Sequence, residues 1–208
     1  MMRLFAAILL AGACAAAEYE VGGAAGAGFV KGAGVTSPAG TATAGFKTGG
    51  AFGGFLGHNA HSWLGGEFRY GYLQSDLKLS GSGGEASFSG VSHVVHYDLL
   101  IHPKKPRGNA IPFAAVGGGM KVFRGTGRET AYQPLNRYAF LTKTQEVKPM
   151  LSAGGGVKIR IGGNVYLRTE IRDYVTPFPK KVIAPAPGAK ISGWLHDFVP
   201  MVGISFGL

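Results

Sequence analysis

The chain has 208 residues, enough for one domain of ordinary size, with charged residues at only 15%, aromatics at 11% and 36 glycines. Glycine at more than twice its usual ~7% share argues against a soluble helical protein, because each helical Gly costs ~1 kcal/mol against Ala. The formal charge of +10 comes with no recognised nucleic-acid motif and is spread along the chain, which excludes a nucleic-acid binder and favours contact with anionic lipid surfaces.

The first element in chain order is a targeting segment. Met1-Met2-Arg3 is a positive start, and Leu4 to Ala17 is an apolar run too short to cross a bilayer as a helix. Ala15-Ala16-Ala17 supplies the small-x-small cleavage pattern, so residues 1–17 are expected to be a signal peptide and Glu18 the first mature residue. The rival is a lipoprotein signal at Cys14, preceded by Ala11-Gly12-Ala13 without the usual leucine. With Cys14 removed, the mature chain has no thiol and no disulfide.

From there on, apolar residues alternate with period two in eight segments separated by turn-rich stretches. The first runs from about Tyr19 to Val30, with Tyr19, Val21, Ala25, Ala27 and Phe29 on one face and Glu20, Gly22, Ala24, Gly26 and Gly28 on the other. The second, about Thr43 to Leu56, places Phe46, Thr48, Phe52 and Leu56 outside and Lys47, Gly49, Ala51 and Gly53 inside. The third, about Trp63 to Leu79, alternates Leu64, Phe68, Tyr70 and Tyr72 with Glu67, Arg69 and Gly71. The fourth, about Ala86 to Ile101, sets Val91, Val95, Tyr97, Leu99 and Ile101 against Ser92, Val94, His96 and Asp98.

The fifth, about Ile111 to Arg124, sets Val116, Met120 and Val122 against Gly117, Gly119 and Lys121. The sixth, about Pro149 to Ile161, sets Leu151, Ala153, Val157 and Ile159 against Ser152, Gly154, Gly156, Lys158 and Arg160. The seventh, about Val165 to Val175, turns Tyr166, Arg168, Glu170, Arg172 and Tyr174 inward. The eighth starts near Trp194 and points Phe198, Val202, Ile204, Phe206 and Leu208 outward. Eight is an even number, as antiparallel closure requires, and a closed sheet leaves no unpaired edge in hydrocarbon. Short connections (Gly57–Ser62, His102–Asn109, Gly162–Asn164) alternate with long ones (Lys31–Ala42, Gly125–Lys148, Thr176–Gly193, with Ser80–Glu85 a modest fourth). Both termini then lie at the short-turn end. The expectation is an all-β, eight-stranded, antiparallel up-and-down transmembrane β-barrel over residues 18–208.

The last segment, Phe198-Val199-Pro200-Met201-Val202-Gly203-Ile204-Ser205-Phe206-Gly207-Leu208, resembles the closing strand of bacterial outer-membrane proteins, which serves as their assembly signal. With the targeting segment and the eight strands, residues 18–208 resemble the opacity-type family of small barrels, similar to the transmembrane domain of outer-membrane protein A. That resemblance implies the outer membrane, contact with its lipids and lipopolysaccharide, dependence on the assembly machinery, and a monomer. It says almost nothing about activity, since fold analogy alone does not carry function.

The candidate chemistry lies in the inward charges Lys47, Glu67, Arg69, Asp98, Lys121, Lys158, Arg160, Arg168, Glu170 and Arg172. Inside eight strands there is just room for side chains, so these form either a salt-bridged plug or the lining of a narrow anion-favouring pore; the plug is the preferred reading. No metal motif is present: His93 and His96, three apart, fall on opposite faces of a strand, and His58 and His61 share a short turn. Gly117-Gly118-Gly119 and Gly154-Gly155-Gly156 lack the Lys-Ser or Lys-Thr of a phosphate loop and suit bends in a strand. The His-x-Ser motif of lipid A deacylases does not occur. Trp63, Trp194, Tyr70, Tyr72, Phe178 and Phe198 are assigned to interfacial girdles. The expected role is non-enzymatic, structural or surface-interacting, without cofactor; the alternatives are a narrow channel, a lipid A-modifying enzyme and a soluble lipid carrier.

Overall fold

The computed structural model describes residues 19–103, 109–130 and 132–208. The expected signal peptide and its cleavage site fall outside the described residues. Eight strands close into a barrel: β1 (Tyr19–Lys31), β4 (Gly49–His61), β5 (Leu64–Gln74), β8 (Gly90–Ile101), β9 (Ala110–Gly125), β11 (Gln145–Gly162), β12 (Val165–Pro177) and β15 (Trp194–Gly207). Every neighbouring pair is antiparallel, and β1 closes the cylinder by pairing with β15 on one side and β4 on the other. Among the described residues no helix is long and apolar enough to cross a membrane; the strands make the crossing.

The wall obeys the alternation. Phe52, Phe68, Tyr97, Leu99, Val116, Ile171 and Val202 are exposed on the outer face. Between them the inward positions are buried, many of them polar, charged or small and the rest apolar. A soluble carrier would invert this pattern, so the exposed apolar wall belongs in lipid.

The long connections depart from the expectation of loops. They fold into a second layer over one end of the barrel. A five-stranded sheet runs in the order β14 (Lys190–Ser192), β2 (Ala33–Ser37), β3 (Gly40–Phe46), β6 (Leu77–Gly81), β7 (Gly84–Phe88). Beside it β10 (Ala139–Leu141) pairs with β13 (Ile183–Pro185). This cap has its own apolar core, including Val35, Ala44, Phe46, Leu77, Leu79, Phe123, Tyr138, Val182, Ile183 and Leu195. The second, third and fourth segments each break in two where the chain passes between barrel and cap. Phe46, expected on the lipid face, and Phe178, expected in a girdle, are both buried in the cap core. Past the barrel rim the alternation refers to the cap, so outward parity no longer means lipid. Trp63, Trp194, Tyr70 and Phe198 do remain exposed.

Candidate functional site: the charged lumen

The inward side chains meet in layers along the axis. At the centre three arginines face three acids. Arg168 donates through both terminal nitrogens to Glu67, at 2.6 and 3.2 Å, and through Nε to Glu170 Oε2 at 3.1 Å. Arg69 lies 3.2 Å from Glu67 through Nε and donates through Nη2 to Glu170. Arg172 donates through Nη2 to Glu170 at 3.3 Å and to Glu67 at 3.5 Å, and through Nη1 to Asp98. Glu67 and Glu170 thus each touch all three guanidiniums. The arginine fork suits this shared, multidentate bonding, which a lysine point charge would not reproduce.

Aromatic faces finish the layer. The Arg168 guanidinium lies 4.4 Å from the Phe55 ring and 4.5 Å from the Phe113 ring, sandwiched between two negative π faces. His96 bonds Asp98 at 2.9 Å, and Ser152 donates to the other Asp98 oxygen at 3.4 Å. The histidine does not stand between serine and acid, so no Ser–His–Asp relay is formed. Among the described residues no cluster of three or more His, Cys, Asp or Glu could hold a metal.

Below the arginines, toward the short-turn end, Lys158 donates to Glu20. Above them an apolar belt of Ala51, Leu73, Val94, Met150, Tyr174, Val199 and Met201 fills the bore. Above the belt a single pair, Lys121 with Asp197, is buried beneath the cap. The inventory of buried charges among the described residues is five bases (Arg69, Lys121, Lys158, Arg168, Arg172) and five acids (Glu20, Glu67, Asp98, Glu170, Asp197).

Two inward assignments are corrected. Lys47 lies beyond the end of β4, where the chain has left the barrel, and its ammonium sits 3.4 Å from Glu85 with the side chain 39% exposed. Arg160 lies at the open rim next to a β-bulge, exposed, stacked on Tyr166 and donating to its hydroxyl at 2.8 Å. The candidate charges do not include two acids of the lumen, Glu20 and Asp197, nor the rings of Phe55 and Phe113, although the alternation already places Glu20 on the face of the first strand opposite Tyr19. All four sit at inward parity, so the alternation carried the signal.

The glycines explain how so many long side chains fit. Across the ladder Glu20 faces Gly57 and Gly207, Glu67 faces Gly57, His96 faces Gly119, and Asp98 faces Gly117. Arg168 faces Gly203, Glu170 faces Gly156 and Arg172 faces Gly154. A charged side chain leans over the neighbouring strand, and a Cβ there would collide with it: at Gly156 it would come within 2.8 Å of Glu170 Cβ, and at Gly154 within 2.8 Å of Arg172 Cδ. The composition that first excluded a helical protein is the space for the ion network.

A closed antiparallel barrel of eight strands, apolar outside and ion-paired inside, defines a small bacterial outer-membrane protein. The sequence profile of the family described as outer membrane protein beta-barrel domain matches residues 4–204, and the chain belongs to that family. Among solved structures, Neisserial surface protein A is similar at a TM-score of 0.56 and 12% identity over 93% of this chain and 99% of that one. The outer membrane protein AlkL, solved in lipid bilayers, is similar at a TM-score of 0.52 and 15% identity over 93% of this chain and 92% of that one. No curated protein sequence matches the chain. The protein resides in the bacterial outer membrane, and the lipid of that membrane is its surroundings.

Phe198, Val202, Ile204 and Phe206 of β15, with Leu208 just after it, are 42–56% exposed on the lipid side. Phe206 pairs in register with Val21 of β1 and Val165 of β12, at the seam that closes the barrel. Phe206→Asp puts a charge near the interface, where it costs only ~0–1 kcal/mol of stability. A large fall in membrane levels of this variant, measured by immunoblot of outer-membrane fractions, is therefore the result expected if the strand serves as an assembly signal. Normal levels would remove that role.

Proposed function

We propose that the protein is a closed, non-conducting barrel that anchors a folded cap outside the cell, and that its role is structural or surface-interacting rather than catalytic. The observation that carries this reading is the charge balance of the lumen. Five buried bases are matched by five buried acids. A conducting anion pore would need a surplus of one sign and a continuous wet path. Here the bore is filled by the arginine layer, then by the apolar belt, then by the cap core. The cap lies at the end with the long connections, the extracellular end in barrels of this kind. Assembly would pass through the outer-membrane machinery that reads β15, and the anionic glycolipid of the outer leaflet is the partner proposed for the basic exterior.

Purified protein in a planar bilayer is expected to give no steady current across a range of voltages. Stable single-channel steps from the wild type would overturn the closed reading in favour of a channel for small solutes.

A further inference from the structure

With the lumen neutral, the surplus positive charge lies at the ends of the barrel. The four long connections and adjoining strand ends (31–48, 74–90, 124–148 and 177–194) carry eleven Lys and Arg against four Asp and Glu. One part of this surface is concave. A groove of ≈ 440 Å³ lies beside the end of β1 and along β3 and β6, lined by Thr43, Lys47, Thr48, Lys78, Ser80 and Glu85. Its depth comes from Gly32 and Gly45, which pack so closely that a Cβ on Gly45 would come within 2.9 Å of the Gly32 backbone. Glu85 lies across the groove, accepting from Lys78 at 2.8 Å and 3.4 Å from Lys47. The hydroxyls of Thr43, Thr48 and Ser80 make no hydrogen bond to other described residues.

We infer that this groove binds the phosphate of an outer-leaflet glycolipid, with Lys47 and Lys78 as the cationic contacts. Two ammoniums and three hydroxyls converging on one concavity match a phosphate group. The choice of a lipid over a soluble anion follows from what lies below. Phe29 and Phe52 are exposed on the outer wall of β1 and β4, with Tyr72 beside Phe52 in register. Phe52 is four residues from Thr48, or ~13 Å along the strand. An acyl chain lying on these rings brings its headgroup to the groove. Glu85 competes for the same two lysines and therefore sets the affinity. The inference rests on the cap facing outward and deepens the partner reading given above.

The test measures binding of diphosphoryl lipid A to the purified full chain in detergent, by native mass spectrometry. Lys47→Ala with Lys78→Ala is expected to weaken binding at least about tenfold, and added salt to weaken the wild type, because the contacts are exposed and screened. Glu85→Gln is expected to tighten binding, a gain that a misfolded variant cannot produce. Fully dephosphorylated lipid A is expected to bind no better than neutral phospholipid. Equal binding of wild type and double-lysine variant, or weaker binding by Glu85→Gln, would overturn the assignment. So would inorganic phosphate binding as tightly as the lipid, which would mark a site for free anions. A wild type that binds no lipid A yet gives no current would sink the groove and leave the closed anchor standing. One that conducts while binding lipid A through these lysines would do the reverse.

Discussion

Glu170→Ala is expected to be among the most damaging single substitutions in the barrel wall. The Glu170 side chain is fully buried and touches Arg69, Arg168 and Arg172. Its removal leaves four buried acids against five buried bases. Truncating one partner of a buried, hydrogen-bonded ion network typically costs ~3–5 kcal/mol, most of it the penalty of the charge left behind. Glu67 can absorb part of the loss, since it already contacts the same three arginines. Thermal unfolding followed by circular dichroism, and the temperature at which the folded band converts on a denaturing gel, should both fall well below wild type. The measurement also separates the two readings of the lumen. If the charges line a pore, Glu170→Ala changes ion selectivity of an existing current with little effect on stability. If they form a plug, stability falls, and a small anion-selective leak appears where the wild type has none.

How much of this was legible in the sequence depends on which side of the barrel rim a residue lies. Within the wall, period two is enforced by lipid on one face and a narrow bore on the other. The alternation therefore named the eight barrel strands and the inward positions of Glu67, Arg69, Asp98, Lys121, Lys158, Arg168, Glu170 and Arg172. Glu20 and Asp197 were readable by the same parity, although an isolated acid near the end of a strand draws less notice than the Arg168-Thr169-Glu170-Ile171-Arg172 run. The partners were not readable. Arg168 meets Glu67 across a separation of 101 residues, fixed by the register of strand closure, and no local pattern encodes that.

The cap was not legible as a separate layer, and the parts of β3, β6 and β7 that the alternation did reach read as continuations of the barrel strands. Its strands are three to seven residues long, interrupted by turns at Gly40, Gly84, Gly188 and Gly193, all with positive φ. Two or three apolar residues in such short pieces give no period to count. Their buried face is chosen by stacking over the barrel mouth, where Phe46 lies 5.2 Å from Phe123. The same loss of reference misplaced Lys47 and Phe178 beyond the cap end of the bore and Arg160 beyond the other.

The second large effect is expected at the pair that sits alone between the apolar belt and the cap core. Lys121 and Asp197 are each about 98% buried, and the ammonium lies 4.8 Å from the centre of the Phe123 ring. Leu195 and Val199, on either side of Asp197 along β15, belong to the cap core and to the belt respectively. Among the described residues Lys121 is ion-paired with Asp197 alone, whereas the arginines that Glu170 touches also meet Glu67. Asp197→Ala strands Lys121 in an apolar layer, and a loss of ~3–5 kcal/mol is expected, with unfolding at lower temperature. Replacing both partners by apolar groups of similar size removes the stranded charge along with the pair. Lys121→Met with Asp197→Leu is therefore expected to recover most of the loss, and buried pairs so replaced often end ~1–4 kcal/mol more stable than the original. This double-mutant comparison distinguishes a pair that holds the layer together from a pair that merely tolerates burial. A double variant as unstable as Asp197→Ala would show that the ion pair contributes directional bonding the apolar pair cannot replace. A single variant as stable as wild type would mean that water reaches Lys121 from the cap side, and that the upper bore is open.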